Sequence, residues 1–178
     1  MENLIEKINL KGQQIRNQRQ LEINEKRERV IQDIEKTKAL IPRIKKLWEI
    51  GQTLLNNGFN IGKPHHAPGS TYYEYETNGW YHWLGFFVRN NEIYGFGECG
   101  GGCCGKSVRI THDGTIMYGD KIANADDDCL ISRGDNYSPR AGKMYENVDF
   151  THKLSRILNG FDDFEKGVLD FAESIVNQ

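Results

Sequence analysis

The chain has 178 residues, 38% hydrophobic and 27% charged, with a formal net charge of −2. That length suits one domain with an appendage, and the near-neutral charge excludes a molecule that is basic throughout, as general nucleic-acid binders are. The charge is uneven: residues 1–55 carry 12 Lys/Arg against 8 Asp/Glu, and residues 56–178 carry 11 against 17, so a mildly basic segment joins an acidic one.

Residues 1–57 read as a helical arm. They are dense in Glu, Lys, Arg, Gln, Leu and Ile, which are good helix formers. Pairs such as Glu22/Lys26 and Glu25/Arg29 stand at i,i+4 in the favourable order. Val30, Ile34, Ile41, Ile44, Trp48 and Leu55 follow spacings of three, four and seven, with Thr37 and Gly51 as weak members of the seam. Ahead of Val30 the stripe thins to Leu4, Ile8, Ile15 and Ile23. Gly12 and Pro42 are expected to kink or split the helix, and Asn56-Asn57-Gly58 to end it.

Residues 58–69 read as a linker, and residues 70–178 as an α+β body. Within the body, residues 70–119 predict an antiparallel meander of about five strands. Thr71–Glu76 alternates and Asn78-Gly79 is a hairpin signal. Trp80–Arg89 is an aromatic strand, Asn90-Asn91 turns it, and Glu92–Glu98 returns. Ser107–Thr111 and Thr115–Tyr118 pair across Asp113-Gly114. Residues 120–149 are polar and predict an irregular loop. Residues 150–177 predict C-terminal helices packed on the sheet: Thr151 caps a first segment ending at Leu158, and Asn159-Gly160 breaks it. Phe161, Phe164, Val168, Phe171 and Ile175 form an apolar stripe on the second.

The loop Cys99-Gly100-Gly101-Gly102-Cys103-Cys104-Gly105-Lys106-Ser107 carries the most distinctive chemistry. From Gly100 it matches G-x-x-x-x-G-K-[ST], yet that phosphate loop needs a helix after it, and a strand pattern follows instead. The better reading is zinc, which suits mixed sulfur and imidazole ligands. Cys99, Cys103, Cys104, Cys129 and His66 are the expected ligand set. Five nearby glycines are costly to order, and thiolate–zinc bonds would hold them. Against this stand free thiols that simply fill small spaces, and a cysteine nucleophile at Cys99 near His82 and His112.

The aromatic sheet reads first as core and cross-strand pairs, and secondarily as a base-stacking surface. Glu2, Glu6 and Lys7 interrupt the first ten residues, so no signal peptide is expected there, and no run approaches the roughly 20 apolar residues of a membrane span. The expectation is a cytoplasmic protein with reduced cysteines and no membrane partner.

No catalytic residue is assigned. The leading functional expectation is a non-enzymatic protein that binds another protein, or itself, through the arm. Its vocabulary, rich in Asn, Ile, Lys and Glu, would suit a phage or mobile-element inhibitor of a host defence nuclease. The alternatives are a small metal- or cysteine-dependent hydrolase and a nucleic-acid-binding module using the basic arm and the aromatic sheet.

Overall fold

Helix formers fill the first third of the chain, and in the computed structural model they build one unbroken helix, α1 (Glu2–Asn56). The structure describes residues 2–59, 71–75, 83–99, 106–126, 129–132 and 142–177. The predicted splits at Gly12 and Pro42 do not occur: both residues lie inside α1. A single missing i→i−4 hydrogen bond at Pro42 is outweighed by the seam packing on either side of it. Gly58 ends the helix with φ +78°, and the Phe59 amide donates back to the Leu54 carbonyl at 3.0 Å, a left-handed glycine cap.

Among the described residues seven strands follow, each antiparallel to the next and ordered along the sheet as they are in sequence. They are β1 (Thr71–Tyr75), β2 (Trp83–Arg89), β3 (Glu92–Cys99), β4 (Val108–Ile110), β5 (Ile116–Tyr118), β6 (Lys121–Asn124) and β7 (Cys129–Ser132). Asn90 and Asn91 make the predicted turn between β2 and β3, both with positive φ, a conformation that Asn tolerates better than most residues. The Asn78-Gly79 turn and most of the 58–69 linker lie outside the described residues.

Two sequence expectations are corrected. Residues 120–149 are not one irregular loop: β6 and β7 form a further hairpin, and a 3-10 turn at Met144–Glu146 buries Met144 in the core. Residues 148–176 form one helix, α2 (Val148–Val176), rather than two. Its cap is Asn147, whose side-chain oxygen accepts from the Phe150 amide at 2.9 Å, so Thr151 is already inside the helix. Asn159-Gly160 does not break α2, because the buried stripe Phe150–Leu154–Ile157–Phe161–Phe164 runs through it. A glycine costs about 1 kcal/mol in a helix interior, less than one buried Phe or Leu contributes.

The two helices pack on the sheet and on each other in one core. Along α2, the Phe150 ring meets Tyr118 on β5, Lys153 reaches Lys106 just ahead of β4, Arg156 reaches Glu98 on β3, and Phe164 meets Phe96 and Phe86 on β3 and β2. Along α1, Gln52 receives the Ile93 amide at 2.9 Å, Trp48 stacks edge-on against His112, and Ile41 lies against Gly114. Thus α2 crosses the sheet from β5 to β2, while α1 runs past the β2–β3 and β4–β5 turns. Arg43 on α1 joins the helices through Asp162 at 2.7 Å and Glu165, and its guanidinium sits 4.7 Å from the Phe161 ring.

Candidate interaction surface

The seam of α1 is buried where the sequence predicts it. Val30, Ile34, Thr37, Ile44, Trp48 and Leu55 are all buried, and Leu47 and Leu54 join them. Thr37 is fully buried because its hydroxyl donates to the Asp33 carbonyl at 2.8 Å, so a polar seam position is satisfied within its own helix. The cover stops abruptly at Val30. From Asn3 to Arg29 every residue but the half-buried Gly12 is exposed, Leu4 at 62% and Ile8 at 61% among them. This exposed length of helix projects about 40 Å at 1.5 Å per residue.

The exposed arm is not a featureless polar rod. Residues 36 positions apart on an α-helix are about ten turns apart and share a face. Ile8 therefore lies on the face of Ile44, Gly12 on that of Trp48, and Ile15 on that of Gly51, all buried against the body. Ile23 is two turns before Val30 on the same side. Leu10 and Leu21 lie on the opposite face. Along the arm Gln18 donates to Glu22 at 3.2 Å and Gln20 to Asn24 at 3.0 Å.

A second feature surrounds the stems of the glycine- and cysteine-rich loop. Glu98, at the end of β3, is 1% exposed, and Arg156 donates to it at 2.8 Å. Lys106, where the chain re-enters the described sheet, gives its backbone carbonyl to the Lys153 ammonium. Lys153 is itself 1% exposed and also meets Asp149 at 3.1 Å. Asp149 accepts the Tyr118 hydroxyl at 2.7 Å. Burial, and then Asp149, push the Tyr118 hydroxyl up to about 12. Both stems of the loop are thus fixed to α2 by charge-assisted bonds one helical turn apart.

Cys103, Cys104 and His66 of the expected zinc set lie outside the described residues. Cys99 is placed only by its backbone, opposite Trp83 at the end of β3. Cys129 is buried at the start of β7, opposite Asn124. The unforeseen β6–β7 hairpin carries it away from the end of the sheet where Cys99 stands, and four strands across. Among the described residues, no three His, Cys, Asp or Glu groups stand together as a metal site would require. After Ser107 the chain enters β4 rather than a helix, so the phosphate-loop pattern lacks the helix N-terminus that its mechanism uses.

The aromatics divide between the two faces of the sheet. Phe86 and Phe96 pack towards α2. Phe87 and Tyr94 lie on the reverse, 5.9 Å apart, with Arg109 5.1 Å and Arg89 5.6 Å from the Tyr94 ring. Gly95 makes room for this stack: a Cβ there would stand 2.5 Å from the Arg109 side chain. Phe87 is buried, so its ring is not a platform open to a base. The side chains of Tyr72, Tyr73, Tyr75, Trp80, Tyr81 and Trp83 lie outside the described set. No described helix is long and apolar enough to cross a membrane.

The arm is the most extended uncovered helix face among the described residues, and the thinning of the stripe ahead of Val30 marks it in the sequence. The pinned stems at Lys153 and Arg156 were missed, since nothing in local sequence tells which cation on α2 meets which strand end. Comparison of the chain with protein-family models, with curated proteins and with solved structures returns no match.

Proposed function

We propose that this chain is a macromolecule-binding protein whose helical arm, Asn3–Arg29, is the docking element. The observation that carries the proposal is the change at Val30: one continuous helix face is buried by the chain's own body on one side and bare on the other. Single exposed apolar residues are ordinary, but an apolar stripe repeated on one face of a projecting helix is the surface that helix-in-groove and helix–helix partners read. Glu6, Glu22, Glu25 and Glu28 flank the four cations Lys7, Lys11, Arg16 and Arg19 and offset part of the arm's positive charge, which favours a protein partner over a phosphate backbone.

The test is hydrogen exchange on the full chain, free and assembled. In the free chain the arm amides exchange fast and those from Ile34 onward slowly. In the assembled state the arm becomes protected. Ile8→Lys removes assembly without lowering the thermal midpoint of the body. Slow exchange of the arm in a free monomer, or assembly indifferent to Ile8→Lys, overturns the proposal.

A further inference from the structure

We infer that the occupant of the bare face is the arm of a second copy of this chain, laid antiparallel. The inference rests on the reading of the arm as a docking element and names its partner. The stripe on that face is Leu4, Ile8, Gly12, Ile15, Arg19 and Ile23, spaced four, four, three, four and four. That spacing reads the same in both directions about the point between Gln13 and Gln14. A two-fold axis there sets Leu4 against Ile23, Ile8 against Arg19 and Gly12 against Ile15, each pair occurring twice. An isologous contact of this kind is what a closed dimer uses.

The pairs are chemically compatible. Leu4 and Ile23 are 62% and 38% exposed and would cover each other. Gly12 offers a gap opposite the branched Ile15. The aliphatic stem of Arg19 can lie over Ile8 while its guanidinium stays in water. The parallel, in-register alternative is worse, since it stacks Arg19 on Arg19, Glu22 on Glu22 and Lys26 on Lys26 along the join. It also sets Gly12 against Gly12 and leaves a void.

The antiparallel register also fits the body. Leu4 of the second copy meets Ile23, about two turns short of Val30, where the chain's own body takes over the face. The second arm thus fills the uncovered stretch and continues the buried seam without colliding with it.

Two measurements on the full chain test this. Native mass across a concentration series is expected to show a dimer, abolished by Ile15→Glu and retained in Leu10→Glu, which alters the opposite face. A photo-crosslinking residue at position 4 is expected to label residues 19–26 of the other copy. Labelling of residues 1–8 instead means a parallel pair and overturns the inference while leaving the docking role intact. A monomer at every concentration, with fast-exchanging arm amides, removes the second copy as occupant but not the docking role. A dimer insensitive to Ile15→Glu overturns both.

Discussion

The two halves of α1 are built from nearly the same vocabulary, yet only one of them belongs to the core. Residues 2–29 and 30–56 are both rich in Glu, Lys, Gln and Ile, and both are helical. In the second half Ile44, Leu47 and Trp48 are buried, whereas in the first Leu4, Ile5 and Leu10 are each about three-fifths exposed. The difference lies in what faces them. Helical propensity alone is too weak to anchor a segment, and stability comes from tertiary packing of an apolar face. The comparison predicts that equivalent truncations have very different costs. Leu47→Ala is expected to destabilise the fold by about 2–5 kcal/mol through lost burial and a cavity. Leu10→Ala is expected to stay within about 0.5 kcal/mol. Chemical denaturation of the two variants decides the matter, and a similar loss in both would mean that the arm is part of the core.

The same boundary marks how far the sequence could be read. The seam from Val30, the Asn90-Asn91 turn and the β3–β4–β5 order follow from local periodicity and turn chemistry, and each stands in the structure. The β6–β7 hairpin was hidden because its strands are four residues each, Lys-Ile-Ala-Asn and Cys-Leu-Ile-Ser, too short for alternation to show. Their stability comes from neighbours in the sheet, which no local window contains. The continuity of α2 was misread for the opposite reason: a local signal at Asn159-Gly160 was given weight that long-range packing of Phe161 and Phe164 overrides. The zinc reading set Cys129 at the same end of the sheet as Cys99 by counting the Asp113-Gly114 hairpin alone, whereas three antiparallel turns, β4–β5, β5–β6 and β6–β7, precede Cys129.

Alkaline pH offers a way to melt the body while leaving the arm alone. The Tyr118 hydroxyl titrates near 10.0 in an open chain and is raised to about 12 in the fold, first by burial and then by Asp149. Between those values the unfolded state releases the proton and the folded state keeps it. The stabilisation is therefore complete below pH 10 and is lost as pH rises through about 12. The expected loss is on the order of 2 kcal/mol, seen as a falling thermal midpoint. Tyr118→Phe should flatten that slope. If the slope persists unchanged, the alkaline sensitivity arises elsewhere.

Pro42 sharpens the contrast from within the anchored half. It is exposed, it lies inside α1, and it supplies no amide for the helix ladder. The packing of Ile41, Ile44 and Leu47 around it holds the helix continuous through that point. Pro42→Ala is expected to raise stability by about 1 kcal/mol or more, read as a higher denaturation midpoint. An unchanged midpoint would mean that the unfolded-state restriction imposed by proline offsets the restored hydrogen bond.

Gly12 is the counterpart in the exposed half, and the smallest effect is expected there. Its φ is ordinary, and the nearest atom to an added Cβ is the flexible end of Arg16 at 3.4 Å, so alanine fits without strain. Gly12→Ala should favour the helical state by roughly 0.5–1 kcal/mol. How that appears depends on whether the arm and the body unfold together. If they form one cooperative unit, the thermal midpoint rises by a degree or more, since about 1 kcal/mol moves a chain of this size by roughly 2–4 °C. If the arm is held only by its own hydrogen bonds, the gain is confined to residues 3–29. Ellipticity then increases, exchange in the arm slows several-fold, and the midpoint of the body does not move. The second outcome is expected for the free chain, because Leu4, Ile8, Leu10, Ile15, Leu21 and Ile23 are all exposed and bury no apolar face against the core.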